Sequence, residues 1–143
     1  MLFISDVMTK NVIAIPAQTT VVEIIDIFQE NRIHHLPVTN ANGRVIGIVH
    51  KNDLSRLLGH FSVYDKGRDL GIIGLERFHK LMAKDVMTHN ISVLKEDDTI
   101  NEAICVLREN VHHAIPVFRG STLVGIITTH DILRHLIRQT ASP

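Results

Sequence analysis

Apolar residues fall at Val21, Ile24, Ile25 and Phe28, and again at Ile100, Ala103, Ile104 and Leu107. Both sets follow helical spacing and predict an amphipathic helix that buries one stripe. Each stripe follows a capping-box pattern, Thr20-Val21-Val22-Glu23 and Thr99-Ile100-Asn101-Glu102. In such a box the hydroxyl and the carboxylate each satisfy an orphan amide of the first turn. The first helix should end near Asn31. Short extended segments are expected before these helices, over 12–15 and 91–94. After them come 36–39 with 45–49, and 115–118 with 123–128, joined by hairpin turns at Asn42-Gly43 and Gly120-Ser121. A second helix closes each unit, over 52–58 and 131–139. Residues 5–8 read as a short helical turn, and 75–82 as helical.

The order is strand, helix, strand, strand, helix, written twice, and residue identities repeat with it. Asp6-Val7-Met8-Thr9 returns as Asp85-Val86-Met87-Thr88, and Pro37-Val38 as Pro116-Val117. Gly47-Ile48 returns as Gly125-Ile126, and Asp53 and Arg56 as Asp131 and Arg134. The duplication predicts an α/β chain of the α+β kind. Two β-α-β-β-α repeats pack about a pseudo-two-fold axis, each with a small three-stranded mixed sheet and two helices. Repeat 1 is placed at 1–58, a connector at 59–83 and repeat 2 at 84–140. A site at such an axis comes in two related versions.

The closing helices carry more apolar surface than one small sheet needs, at Leu54, Leu57 and Leu58 and at Ile132, Leu133, Leu136 and Ile137. A helix apolar on two sides has a second partner, which predicts a homodimer through these helices. A locally thick core is the alternative. Cys105 aligns with Asp26, which places it at the surface or an interface.

Composition removes several classes of function. Fifteen basic residues balance fifteen acidic ones, whereas a duplex nucleic-acid binder needs a basic footprint. No apolar run approaches the roughly 18 residues of a membrane span, and no signal peptide is visible, so no membrane partner and a cytoplasmic location are expected. A single cysteine, Cys105, allows no intrachain disulfide and fits a reducing compartment. Tryptophan is absent and Tyr64 is the one tyrosine, so an aromatic base held here would mostly be sandwiched by aliphatic side chains. No nucleophile–base pair, phosphate-cradling glycine loop or spaced carboxylate dyad is present, so the chain does not read as an enzyme.

The paired openings at 6–9 and 85–88, together with His35-Leu36-Pro37-Val38 and Ala114-Ile115-Pro116-Val117, carry a resemblance. Gly47-Ile48-Val49-His50-Lys51-Asn52-Asp53-Leu54 and Gly125-Ile126-Ile127-Thr128-Thr129-His130-Asp131-Ile132 complete it. The chain resembles a standalone tandem pair of CBS domains, the cystathionine-β-synthase module. Three elements in fixed order, twice, cover nearly everything outside the connector. The resemblance implies an adenosine-containing ligand (AMP, ADP, ATP or S-adenosylmethionine) in clefts between the repeats, no obligatory cofactor, and a sensor that relays occupancy to an effector protein.

By that resemblance Asp53 and Asp131 accept the ribose hydroxyls, as acidic residues do in dinucleotide-binding folds. Thr128-x-x-Asp131 is also a capping-box spacing, which gives the carboxylate a purely structural alternative. Thr128 can offer its hydroxyl to a phosphate, and the first repeat has His50 there instead, so the two clefts should be unequal. Arg56 and Arg134 either grip phosphates or form intrahelical pairs with their aspartates. Thr9, Asn11 and Val12, with Thr88, Asn90 and Ile91, are expected beside the adenine, and Leu36-Pro37 and Ile115-Pro116 at its opposite wall. His34, His113 and His130 complete the implied site, and Tyr64 is a weaker stacking candidate. The proline positions alternatively suit edge strands. The pairs His34-His35 and His112-His113 also invite a metal-responsive reading, with a purely structural dimer beside it. Neighbouring strand residues face opposite ways, however, and no metal-ligand spacing is present.

Overall fold

The computed structural model describes residues 1–65, 76–109 and 114–141, and their side chains except at 59–65. The chain gathers into two compact units, Ile13–Asn90 and Met1–Val12 with Ile91–Pro143. Each opening motif therefore belongs to the unit built around the other repeat.

In the first unit, β1 (Ile15–Pro16) leads to α1 (Val21–Glu30), then to β2 (His35–Thr39), β3 (Val45–His50) and α2 (Lys51–Asp65). The sheet order is β1-β2-β3, with β1 parallel and β3 antiparallel to β2. The Thr20 hydroxyl accepts from the Glu23 amide and the Glu23 carboxylate accepts from the Thr20 amide, both at 3.2 Å. The expected capping box thus starts α1, and Asn31 ends it. The turn after β2 is wider than a two-residue hairpin. The Asn40 side chain accepts from the Asn42 and Arg44 amides, and Gly43 takes φ +79°. α2 runs past its expected end at Leu58, because a helix-interior glycine such as Gly59 costs only about 1 kcal/mol. Residues 76–80 are helical, as expected for the connector's end, and α3 (Ala83–Val86) follows.

The second unit repeats the plan with β4 (Leu94–Lys95), α4 (Ile100–Glu109), β5 (Ala114–Arg119), β6 (Thr122–Thr128) and α5 (Thr129–Ala141). Its order is β4-β5-β6, again mixed. The Thr99–Glu102 box forms as in α1. Gly120, at φ +59°, and Ser121 make the expected two-residue turn. Both hairpins carry a bulge at the same place, where Ile46 and Val124 are passed over between pairs.

Each unit has its own core. Val21, Ile24, Phe28, Leu36, Val38 and Val49 pack together in the first, and Ile4, Ala103, Leu107, Ile115, Val117 and Ile127 in the second. Ile27 and Val106, off the main stripes, pack partly buried against these cores.

The prolines occupy central strands rather than edges. Pro37 pairs with Ile48 and Pro116 with Ile126. The Ile48 amide and carbonyl, however, turn away to Thr88, and those of Ile126 to Thr9. Pro37 and Pro116 therefore face a residue that exchanges no ladder bonds with them. β1 and β4 begin pairing only one residue later, at Val38 and Val117, so the missing amide costs nothing.

The same crossings explain two glycines. A Cβ on Gly47 would lie 2.9 Å from the Thr88 carbonyl, and one on Gly125 2.9 Å from the Thr9 carbonyl. Asp6 and Asp85 accept from the Phe3 and Met82 amides and fix the turns that deliver Thr9 and Thr88 to the sheets. Asn11 and Asn90, at φ 59° and 57°, then turn the chain away in left-handed geometry, which asparagine tolerates better than most residues.

Candidate functional site

In the second unit the edge strand β6 ends at Thr128 and α5 begins, so the helix's free amides open beside the crossing segment at Thr9. Asp131 lies in the first turn and is 4% exposed. Its Oδ1 accepts from the Thr9 hydroxyl at 2.8 Å. Its Oδ2 accepts from the Thr128 amide at 3.0 Å and the Thr128 hydroxyl at 3.1 Å, while the Asp131 amide donates to Thr128 Oγ1 at 3.1 Å. The capping-box geometry is therefore present. The bond from Thr9 adds a link between positions 122 apart in the chain. Three donors on one enclosed carboxylate hold it in a fixed orientation.

The equivalent place in the first unit is built differently. Asp53 is half-buried and pairs with Arg56 at 3.4 Å, the intrahelical alternative. Thr88 makes its backbone bonds with Ile48, and no hydrogen bond from it to Asp53 is found among the described residues. His50, at the position of Thr128, accepts the Asn52 amide at Nδ1 (2.9 Å) and meets His35 edge-on, with ring centroids 4.4 Å apart. An imidazolium there would lose that acceptor, so the capping bond belongs to the neutral ring.

The expected site residues thus divide between the units. Thr9, Asn11, Val12, Ile91, Ile115, Pro116, Thr128, His130, Asp131 and Arg134 lie in one, and His34, Leu36, Pro37, His50, Asp53, Arg56, Thr88 and Asn90 in the other. Leu36, Pro37, Ile115 and Pro116 are fully buried. Val12 and Ile91 are half-buried, while Asn11, Asn90, His34 and His130 are exposed. His112, His113 and the Tyr64 side chain fall outside the described residues. Among those described, no three His, Cys, Asp or Glu side chains are placed to hold a metal ion.

Two depressions open on the second unit. One, of about 260 Å3, lies between residues 6–9 and α5 and is lined by Asp6, Thr9, Asp131, Arg134, His135 and Arg138, among others. Sequence reading missed His135 and Arg138, although they stand four and seven residues after Asp131 and so share its helix face. The other, of about 580 Å3, includes Phe3, Lys10, Glu96 and Arg119 in its wall. There the Arg119 guanidinium bonds the Glu96 carboxylate at both oxygens. That bond pulls the glutamate's pKa below its ordinary value and pushes the arginine's up.

Comparison with known proteins bears on the whole chain. A model of the CBS domain matches residues 4–60 and 83–138. An uncharacterised protein of Methanocaldococcus jannaschii, MJ1426, is 26% identical over 160 residues, covering 95% of this chain and 92% of the relative. A second protein of that organism, MJ1225, is 30% identical over 130 residues; the match takes in 90% of this chain but 46% of the relative. Among solved structures, the CBS domain pair of MJ0100, in complex with 5′-methylthioadenosine and S-adenosylmethionine, superposes with a TM-score of 0.77. It shares 21% identity, and the match covers 97% of this chain and 98% of that one. CBSX2 of Arabidopsis thaliana, in complex with AMP, superposes with a TM-score of 0.75 at 23% identity, covering 98% and 99%. At these identities the two likenesses bear on the fold. No helix among the described residues is long and apolar enough to cross a membrane.

Proposed function

Because the chain belongs to the CBS-domain family, we propose that it is a regulatory module that binds an adenosine-containing ligand and relays occupancy to a partner protein. AMP, ADP, ATP and S-adenosylmethionine are the candidate ligands. The observation that carries this reading is the enclosed Asp131 carboxylate, oriented by Thr9 and Thr128 at the start of α5. Such a group suits a pair of ribose hydroxyls, and the free amides of the helix start suit a phosphate. Structural neighbours that hold AMP, or S-adenosylmethionine with methylthioadenosine, support the same ligand class.

Binding acts by differential affinity for two arrangements of the module, and that difference sets how much of the population shifts. The module senses rather than catalyses and works in the cytoplasm. Leu133, Leu136 and Ile137 on α5 are 52%, 50% and 66% exposed, which supports pairing with a second copy through the closing helices. Titration calorimetry with AMP, ATP and S-adenosylmethionine, alongside zinc and nickel, tests the proposal. Heat with an adenosine compound is expected. Heat with metal alone would replace the nucleotide reading by the metal-responsive one.

A further inference from the structure

α5 continues beyond Asp131 with one polar stripe. Arg134, His135 and Arg138 follow at three, four and seven residues, and all line the depression of about 260 Å3 facing residues 6–9. At 1.5 Å of rise per residue, Arg134 lies about 4.5 Å and Arg138 about 10.5 Å beyond Asp131 along the axis. Two like charges four residues apart on a helix repel each other. Neither guanidinium has an ion-pair partner among the described residues, whereas Arg56 and Arg119 each have one. Between them, the His135 Nε2 is enclosed and meets no hydrogen-bonding group among the described residues. A buried ring nitrogen without a partner carries a desolvation cost. The carboxylates nearby are already engaged, Asp131 by Thr9 and Thr128, and Asp6 by the Phe3 amide. The first repeat does not preserve the stripe: Leu57 and His60 stand where the second has His135 and Arg138, and Leu57 packs on the core.

We infer that this stripe reads phosphate number, so that the second unit's site favours an adenosine di- or triphosphate over AMP or S-adenosylmethionine. The inference rests on the reading that Asp131 holds the ribose. With the ribose fixed there, the phosphate chain runs along α5. Arg134 takes the nearer phosphate and Arg138 the farther one, in the forked geometry that guanidinium offers to phosphate oxygens. Methylthioadenosine brings no anion for Arg138 to hold, and S-adenosylmethionine brings a single carboxylate flanked by a cationic ammonium and sulfonium, against the two or three phosphates of ADP and ATP.

Calorimetric titration of the full chain with adenosine, AMP, ADP and ATP tests the inference, with Arg138→Gln and Arg138→Glu as variants. Arg138 is exposed in the last turn of α5, and circular dichroism checks that the variants fold. ATP should bind roughly tenfold or more tightly than AMP, one extra charge-assisted contact being enough for that ratio. Arg138→Gln should collapse the ratio toward one, and Arg138→Glu should invert it. Equal affinity for AMP and ATP in the wild type, or an unchanged ratio in both variants, overturns the inference and leaves the ribose reading standing. If no adenosine compound binds, or Asp131→Asn changes no affinity, the ribose reading itself falls.

Discussion

The two closing helices begin with the same aspartate, yet Asp131 and Asp53 live in different surroundings. Asp131 is enclosed and takes three side-chain and backbone donors. Asp53 is half-buried beside its own Arg56. The difference comes from one substitution between the repeats. Thr128 brings a hydroxyl that closes the capping box and turns Asp131 toward Thr9, while His50 spends its ring nitrogen on the Asn52 amide. A duplicated frame therefore holds one carboxylate poised and one merely paired.

The largest effect expected is on stability. Asp131→Ala strands the Thr9 and Thr128 donors and should cost roughly 2–3 kcal/mol, while Asp53→Ala should stay within about 0.5 kcal/mol. Urea unfolding of both variants measures the gap, and equal losses would erase the distinction between the two helices. Where the frame is shared, the effects should instead match. Gly47→Ala and Gly125→Ala each push a Cβ against a backbone carbonyl and should each cost about 1–3 kcal/mol. A large inequality between them would mean that the crossings at Thr88 and Thr9 are not equivalent. Asn11→Val and Asn90→Val should each lose about 1–2 kcal/mol, because a β-branched residue is strained at positive φ. Asn→Gly at the same positions should lose almost nothing, as paired thermal melts can show.

The smallest effect concerns Glu96, whose carboxyl pKa is lowered chiefly by its hydrogen bond with Arg119. A lowered carboxyl pKa stabilises the folded chain above the ordinary carboxylate range, and that contribution is lost as pH falls through the lowered value. Arg119→Ala should bring the Glu96 titration, followed by NMR, back up toward the usual range. No movement would mean that the pair is not formed in solution.

Much of this was legible in the sequence. The periodic stripes of α1 and α4, their capping boxes and the Gly120-Ser121 hairpin needed only local chemistry and formed where spacing placed them, whereas the turn holding Asn42-Gly43 is wider than its two-residue pattern predicts. The exchange of the opening motifs was not legible. Repetition says which residues correspond, but it does not say which sheet Thr9 or Thr88 joins. For the same reason the repetition of Gly47 at Gly125 does not reveal its cause, which is the carbonyl of Thr88 or Thr9 crossing each glycine. The edge-strand alternative for Pro37 and Pro116 follows from a proline's missing ladder donor, and the register that removes the need for one is a tertiary fact. The resemblance puts Asn11 and Asn90 beside the adenine, and their positive φ adds a backbone reason for asparagine at both positions. The bond by which Asp131 ties residues 6–9 to α5 is likewise tertiary, since it joins positions that no local spacing relates. His135 and Arg138 could have been found by extending the helical period from Asp131.

The central claim is that the unit holding Asp131 and Thr128 is the one that takes the adenosine ligand. Calorimetric stoichiometry on the wild type, Asp131→Asn and Asp53→Asn, each titrated with AMP and ATP, tests it most directly. One ligand per chain, lost in Asp131→Asn and kept in Asp53→Asn, is the predicted result. Two equal sites per chain, or binding that disappears with Asp53→Asn and survives Asp131→Asn, would contradict it.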